Sequence, residues 1–315
     1  MKGNCMNGLA LSKSYYEEYG LPMLTERFSD LMPYLAIGLV GSGSERFGFD
    51  DEISRDHDFE PGFCIFLPSE EVVDRKAEFL LERAYAKLPR DYMGFRRSGI
   101  TPVGGNRLGV IRTADFYREK VGSADGNLSV GEWLTIPDYS LAEATNGAVF
   151  TDPYGEFSGI REKLSSMPED IRKKRLAGNL LLMAQSGQYN YPRCIAHGEP
   201  EAAALAAREF VTAAMKVRFL LAGKYMPYYK WSFRALRGLA GNEKIAALLS
   251  EILLDPASPE VTSDRIEDVA ALTVADLITD GLTEAICGDL EKHAYSVNDG
   301  IADGMVRNLH VLASV

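Results

Sequence analysis

Two aspartates, Asp56 and Asp58, stand two residues apart, and a Gly41-Ser42 pair precedes them with thirteen residues between. Carboxylates at i and i+2 share one face if their segment is extended, because side chains alternate along a strand. Two carboxylates on one face suit a hard cation such as Mg²⁺, which takes oxygen ligands and shares them with substrate phosphates. Glycine lets a backbone approach a ligand closely, and exposed amides in such a turn cradle phosphate. The chemistry these types and spacings point to is therefore metal-assisted work on a phosphate ester.

Such residues need rigid supports on both sides. Residues 34–40, Tyr-Leu-Ala-Ile-Gly-Leu-Val, form a short continuous apolar run ending at Gly41, the pattern of a buried strand. Residues 41–55 are polar and glycine-containing, hence a loop. Strand character resumes from Asp56 to Leu67, with a break expected at Glu60-Pro61-Gly62, since proline has no N–H for a ladder. Ser69 reads as an N-cap, and a helix is expected to about residue 89. Leu108–Ile111 is a candidate third strand.

Helical patterns dominate from about residue 160: roughly 169–187, 199–223, 228–238, 242–254, 264–290 and 298–313. An earlier helix is expected over 11–32. The fold class expected is α+β: a nucleotidyltransferase-like mixed β-sheet with flanking helices over 1–160, then an all-α helical bundle over 161–315.

That expectation rests on a resemblance. Strand, Gly41-Ser42, a loop, then Asp56-His57-Asp58 resembles the DNA polymerase beta-type nucleotidyltransferase superfamily. The whole chain resembles, more loosely, aminoglycoside and lincosamide nucleotidyltransferases and an uncharacterised bacterial family with this core. The later stretches bearing on that are Glu132-Trp133-Leu134, residues 147–152 and residues 225–231. The resemblance implies transfer of a nucleoside monophosphate, most simply AMP from ATP, to a hydroxyl or phosphate of an acceptor. It implies that Gly41, Ser42 and nearby amides hold the triphosphate and that Asp56 and Asp58 hold Mg²⁺. Lys230 becomes a phosphate cation reaching across a cleft. The superfamily usually carries a third acid on a later strand, yet Arg107–Arg112 contains none. Either the third strand lies in another register, or Asp115, just beyond, takes that catalytic place, or the chain is a catalytically impaired nucleotide-binding regulatory or partner-binding protein.

Other readings fit less well. A dinucleotide fingerprint needs a helix directly after its glycines, whereas a charged loop follows here. The kinase HRD and DFG elements are absent, as is GxxxxGK[ST]. Arg46 and Arg55 flank the loop as possible phosphate contacts. Tyr225, Tyr228, Tyr229 and Trp231 read as core packing beside Lys230, and Arg172-Lys173-Lys174-Arg175 as a solvated helix face.

The net charge of -11 over 315 residues gives no general affinity for phosphate backbones, so nucleic acid is not a favoured partner. The expected partners are a nucleoside triphosphate and a small-molecule or protein acceptor. Four cysteines without CxxC spacing suggest free thiols and a cytoplasmic setting. No long apolar run suggests a membrane span.

Overall fold

The computed structural model describes residues 6–51, 59–97, 107–254 and 258–315. Asp56 and Asp58, with Arg55 and His57, lie outside the described residues. The chain divides into two compact units, Met1–Asn127 with Ser140–Ser166, and Leu128–Tyr139 with Met167–Val315. Each is α+β or helical as the residue patterns require: the first holds a small mixed sheet, the second is helical.

In the first unit, β1 (Ala36–Leu39), β2 (Cys64–Leu67), β5 (Gly109–Arg112) and β6 (Ala148–Thr151) form one sheet in the order β5-β2-β1-β6. β1 runs antiparallel to β2 and to β6, and β2 runs parallel to β5. A two-residue hairpin, β3 (Asp91–Tyr92) and β4 (Phe95–Arg96), stands apart from this sheet. All four residues of β1 and of β2 are buried, as their unbroken apolar runs demand of central strands.

Strand alternation sorts β2 onto two cores. Ile65 and Leu67 join Ile37, Val110, Leu11 and Tyr15 in one cluster, packed with α1 (Gly8–Tyr15) and α3 (Arg75–Tyr85). Phe66, on the other face, stacks on Phe157 at 4.1 Å between ring centroids and meets Phe116 edge-on at 5.3 Å. Phe116 lies on α4 (Thr113–Val121) and Phe157 on α7 (Glu156–Ser165).

Several local expectations are corrected. The helix expected from Ser69 begins only at Arg75, because Asp74 accepts the N–H of Ala77 at 2.7 Å, while the Ser69 carbonyl closes a turn with Val72 and Val73. Of the strand expected over Asp56–Leu67, residues 56–58 lie outside the described residues, residues 59–63 are not strand, in keeping with the break placed at 60–62, and β2 begins at Cys64. The helix expected over 11–32 runs from Gly8 and ends at Arg27, with a π turn over Tyr16–Gly20 between α1 and α2 (Leu21–Arg27). Helices α4, α5 (Val130–Thr135), α6 (Asp138–Thr145) and α7 are short and weakly periodic, and the pattern did not reveal them.

The second unit is built on α8 (Glu169–Met183), which packs against α10 (Pro200–Leu221) and α14 (Leu290–Asp299). Between them a π turn over Ala184–Asn190 leads into α9 (Tyr191–Ala196). α11 (Tyr229–Arg237), α12 (Glu243–Leu254), α13 (Pro259–Thr279) and α15 (Gly304–Asn308) complete it. The long helix expected over 264–290 ends at Thr279, and the one over 298–313 divides between the end of α14 and α15. The core is a single apolar cluster running from Leu176 through Phe210 and Leu249 to Val297.

The basic run on α8 is not a solvated face. Lys174 is 0% exposed; its ammonium donates to Asn298 Oδ1 at 2.7 Å, to the Arg307 carbonyl at 3.1 Å and to the Leu309 carbonyl at 2.6 Å. Arg175 is also buried and pairs with Asp138 at 3.1 Å. A buried charge is tolerated only when paired or fully hydrogen-bonded, and both meet that condition. Lys174→Met keeps the length but strands these acceptors, so unfolding by denaturant is expected to show a loss of about 3 kcal/mol. A change under about 1 kcal/mol would mean that water replaces the ammonium freely.

Candidate functional site

The candidate site is the turn that leaves β1. Gly41 has φ +101° and Gly43 φ +141°, conformations that favour glycine. A Cβ on Gly43 would lie 2.5 Å from Arg46 Nη1 and 2.5 Å from Glu45 Oε1, so a side chain is excluded there by contact as well as by backbone. Among the described residues, the backbone amides of Ser42, Gly43 and Ser44 have no hydrogen-bond partner. Successive unpaired N–H groups in a glycine turn form an anion-binding concavity.

The turn is held from three sides. The Asn146 side chain clasps the backbone of Gly41: its Oδ1 accepts the Gly41 N–H at 2.8 Å, and its Nδ2 donates to the Gly41 carbonyl at 2.7 Å. Arg161 in turn donates to the Asn146 carbonyl at 2.7 Å. The Arg46 guanidinium, 3% exposed, donates to the carbonyls of Val40 and Arg107, each at 2.8 Å, and to the Glu45 carboxylate. The third support is ionic. Ser42 Oγ donates to Glu143 Oε2 at 2.6 Å, and Lys120 Nζ donates to Ser42 Oγ at 2.9 Å and to Glu143 Oε2 at 3.0 Å. Lys120 also pairs with Glu119 at 3.1 Å. Lys120 comes from α4 and Glu143 from α6. A cleft beside the turn is lined by Gly41, Ser42, Cys64, Arg107, Phe116 and Lys120.

The chain re-enters the sheet under equally firm control. Ser12 Oγ donates to the Gly62 carbonyl at 2.7 Å. The Tyr85 hydroxyl accepts the Phe63 N–H at 3.0 Å and donates to the Phe63 carbonyl at 2.8 Å, and that carbonyl also accepts the Gly109 N–H at 2.9 Å. Both ends of the segment carrying Asp56 and Asp58 are therefore anchored, at Arg46 and at Gly62-Phe63.

Of the residues singled out from sequence, Gly41 and Ser42 sit together at this turn. Arg46 is not available to a phosphate, since its donors are turned to carbonyls and to Glu45. Asp115 lies in the first turn of α4, exposed and paired with Arg118 at 2.6 Å. β5 itself carries no acid; its Arg112 holds Glu78 at 2.6 Å and the carbonyls of Pro68 and Val73. Lys230 belongs to the second unit, exposed on α11, with Nζ 4.4 Å from the Trp231 ring centroid. Two of the tyrosines beside it are not core: Tyr228 and Tyr229 are exposed, with ring centroids 4.5 Å apart and planes tilted by 50°, and Tyr228 also meets Tyr139; Tyr225 is half-buried. Lys120, Glu143 and Asn146 were missed. The available signal was slight: an acid and an amide three apart at the end of a short helix, ahead of Gly147.

The described residues contain no group of three His, Cys, Asp or Glu placed to hold a metal ion. Glu45 and Glu143 are already bound to cations of the chain. A metal at this site would rest on Asp56 and Asp58, whose all-oxygen donor set fits Mg²⁺ in kind.

Fold and turn together define an α+β protein with a glycine-serine turn of unpartnered amides at the end of a central strand. Residues 133–232 match a family described as a domain of unknown function, DUF4037. No curated protein matches the chain. Among solved structures, the chain is similar to a nucleotidyltransferase-like protein from Exiguobacterium sibiricum, at 10% identity over 90% of this chain and 80% of that one, with a TM-score of 0.38. Likeness at that level is too loose to bear on site or activity. No described helix is long and apolar enough to cross a membrane.

Burial around the site also sets an alkaline limit. It pushes the Cys64 thiol from 9.0 up to about 11, against the pull of nearby Arg46. It raises the Tyr85 and Tyr117 phenols as well. Groups with raised folded pKa values favour the protonated native state, so the unfolded chain loses these protons first. Stability is expected to be full below about pH 9 and to fall as pH rises past it, seen as a decreasing urea midpoint. In the folded chain at pH 8, a thiol reagent should label the part-exposed Cys194 and Cys287 and spare Cys64. Rapid labelling of Cys64 would contradict that burial.

Proposed function

We propose that this chain is a Mg²⁺-dependent nucleotidyltransferase, moving a nucleoside monophosphate, most simply AMP from ATP, to a hydroxyl or phosphate of a small-molecule or protein acceptor. The observation that carries the reading is the turn after β1, where three successive unpartnered amides stand beside Ser42 and Lys120. This is the donor set a triphosphate needs. The thirteen-residue spacing to Asp56 and Asp58, and the anchoring of that segment at both ends, support it further.

In this reading the amides of Ser42, Gly43 and Ser44 grip the triphosphate, and Gly41 and Gly43 keep the turn open to it. Lys120 supplies the local cation. Asp56 and Asp58 would hold Mg²⁺, which would supply charge neutralisation at the phosphates. Most of the catalysis is then positioning and charge stabilisation, which rigid anchors favour. The looser resemblance to aminoglycoside and lincosamide enzymes makes a hydroxylated small molecule the simpler acceptor.

A second reading has its own observation. β5 lacks an acid, and Asp115 is tied to Arg118 at the surface of α4. A chain without a general base at the site would bind nucleotide and regulate a partner without transferring anything.

Calorimetric titration of ATP, GTP, CTP and UTP with Mg²⁺, on wild type and on the Asp56→Asn/Asp58→Asn double variant, tests the shared part. One nucleotide should bind wild type, and the double variant should lose Mg²⁺-dependent binding while melting normally. Equal binding by both proteins would sink the metal assignment. Pyrophosphate release then separates the readings: slow release that requires Asp58 supports transfer, and tight binding with no release supports the regulatory alternative.

A further inference from the structure

Glu143 takes up the side-chain donors of Ser42 and Lys120 beside the turn. The Ser42 hydroxyl has one proton, and it is donated to Glu143 Oε2 at 2.6 Å. The Lys120 ammonium has three, and three acceptors surround it: Ser42 Oγ at 2.9 Å, Glu143 Oε2 at 3.0 Å and Glu119 Oε1 at 3.1 Å. Every side-chain donor on this side of the turn is therefore occupied, and two of the acceptors are carboxylates. Lys120 and Glu143 are 12% and 15% exposed at their side chains, so water screens them little. The Lys120 ammonium is thus committed to Ser42 and to two carboxylates of the chain, of which Glu119 is largely exposed and Glu143 is not, while the three amides of residues 42–44 are unpartnered.

Resting on the nucleotidyltransferase reading, we propose that Glu143 is a specificity-determining residue that fills the phosphate seat as an internal anion. A bare phosphate or pyrophosphate meets the Glu143 charge and finds Ser42 and Lys120 already engaged. A triphosphate that brings its own divalent cation offsets that charge and releases Lys120 to the ligand. Glu143 thereby makes the turn select metal-complexed polyphosphate over free phosphate anions. Asn146, one helical turn further along, clasps Gly41 independently, so the turn keeps its shape when Glu143 lets go.

The test uses the full chain and calorimetry with pyrophosphate and no divalent cation, on wild type and Glu143→Gln. Glutamine keeps the size and the acceptor but removes the charge. Pyrophosphate is expected to bind Glu143→Gln at least tenfold more tightly than wild type, and Lys120→Met introduced into that variant should abolish the gain. Glu143→Asp, one methylene shorter, serves if Glu143→Gln does not fold; it should also bind pyrophosphate more tightly, by a smaller factor. Unchanged or weaker binding in the folded variant overturns the proposal. If wild type still binds Mg²⁺-ATP in that case, the nucleotidyltransferase reading stands without it. If neither protein binds ATP or pyrophosphate, both fail together.

Discussion

The guanidinium of Arg46 ties together the strand, the loop and the third strand's approach. It reaches back to the carbonyl of Val40, at the end of β1, and across to the carbonyl of Arg107, just ahead of β5. A planar fork of fixed donors suits this task better than a flexible ammonium. Its charge is tolerated in near-complete burial because Glu45, the preceding residue, lies against it. Gly43 has a φ of +141°, which favours glycine, and a Cβ there would displace the tips of the Arg46 and Glu45 side chains. The unpartnered amides of residues 42–44 are a consequence. The backbone is held by groups on either side of them, and their own donors are left over.

The site is assembled from elements far apart in the chain. α4 brings Lys120, α6 brings Glu143, and the residue after α6 brings Asn146. Phe116 and Phe157 pack α4 and α7 on Phe66, which turns those helices into fixed mounts. The aromatic cluster on one face of the sheet thus determines where the charged side chains of the turn can be. Burial does two jobs at once: it supplies packing, and it makes each nearby charge and hydrogen bond count for more.

The helical unit applies the same rule to its own charges. Lys174 and Arg175 sit on a helix whose apolar residues fill the core, and each finds enough acceptors to be buried. A run of four basic residues looks solvated by composition alone, because charged residues are seldom fully buried. The carbonyls that overturn that reading come from residues 298–309 and from residues 133–138, distant in sequence from α8.

What the residues determined by themselves was local. The apolar run at 34–40 and the end of the 56–67 stretch, beyond its break at 60–62, suit buried strands, since an unbroken hydrophobic run buries both faces. Gly41-Ser42 had to be a turn, since polar glycine-containing sequence follows a strand directly. The long periodic stretches over α8, α10 and α12 identified their helices for the same reason. Short helices such as α5 and α6 carry too few turns to show a period, and the start of α3 was decided by which of Ser69 and Asp74 could reach an amide. The partners of Ser42 depended on tertiary structure alone. A hydroxyl, an ammonium and a carboxylate from residues 42, 120 and 143 meet only because the sheet and its helices pack as they do, and no spacing along the chain encodes a hydrogen bond across a hundred residues.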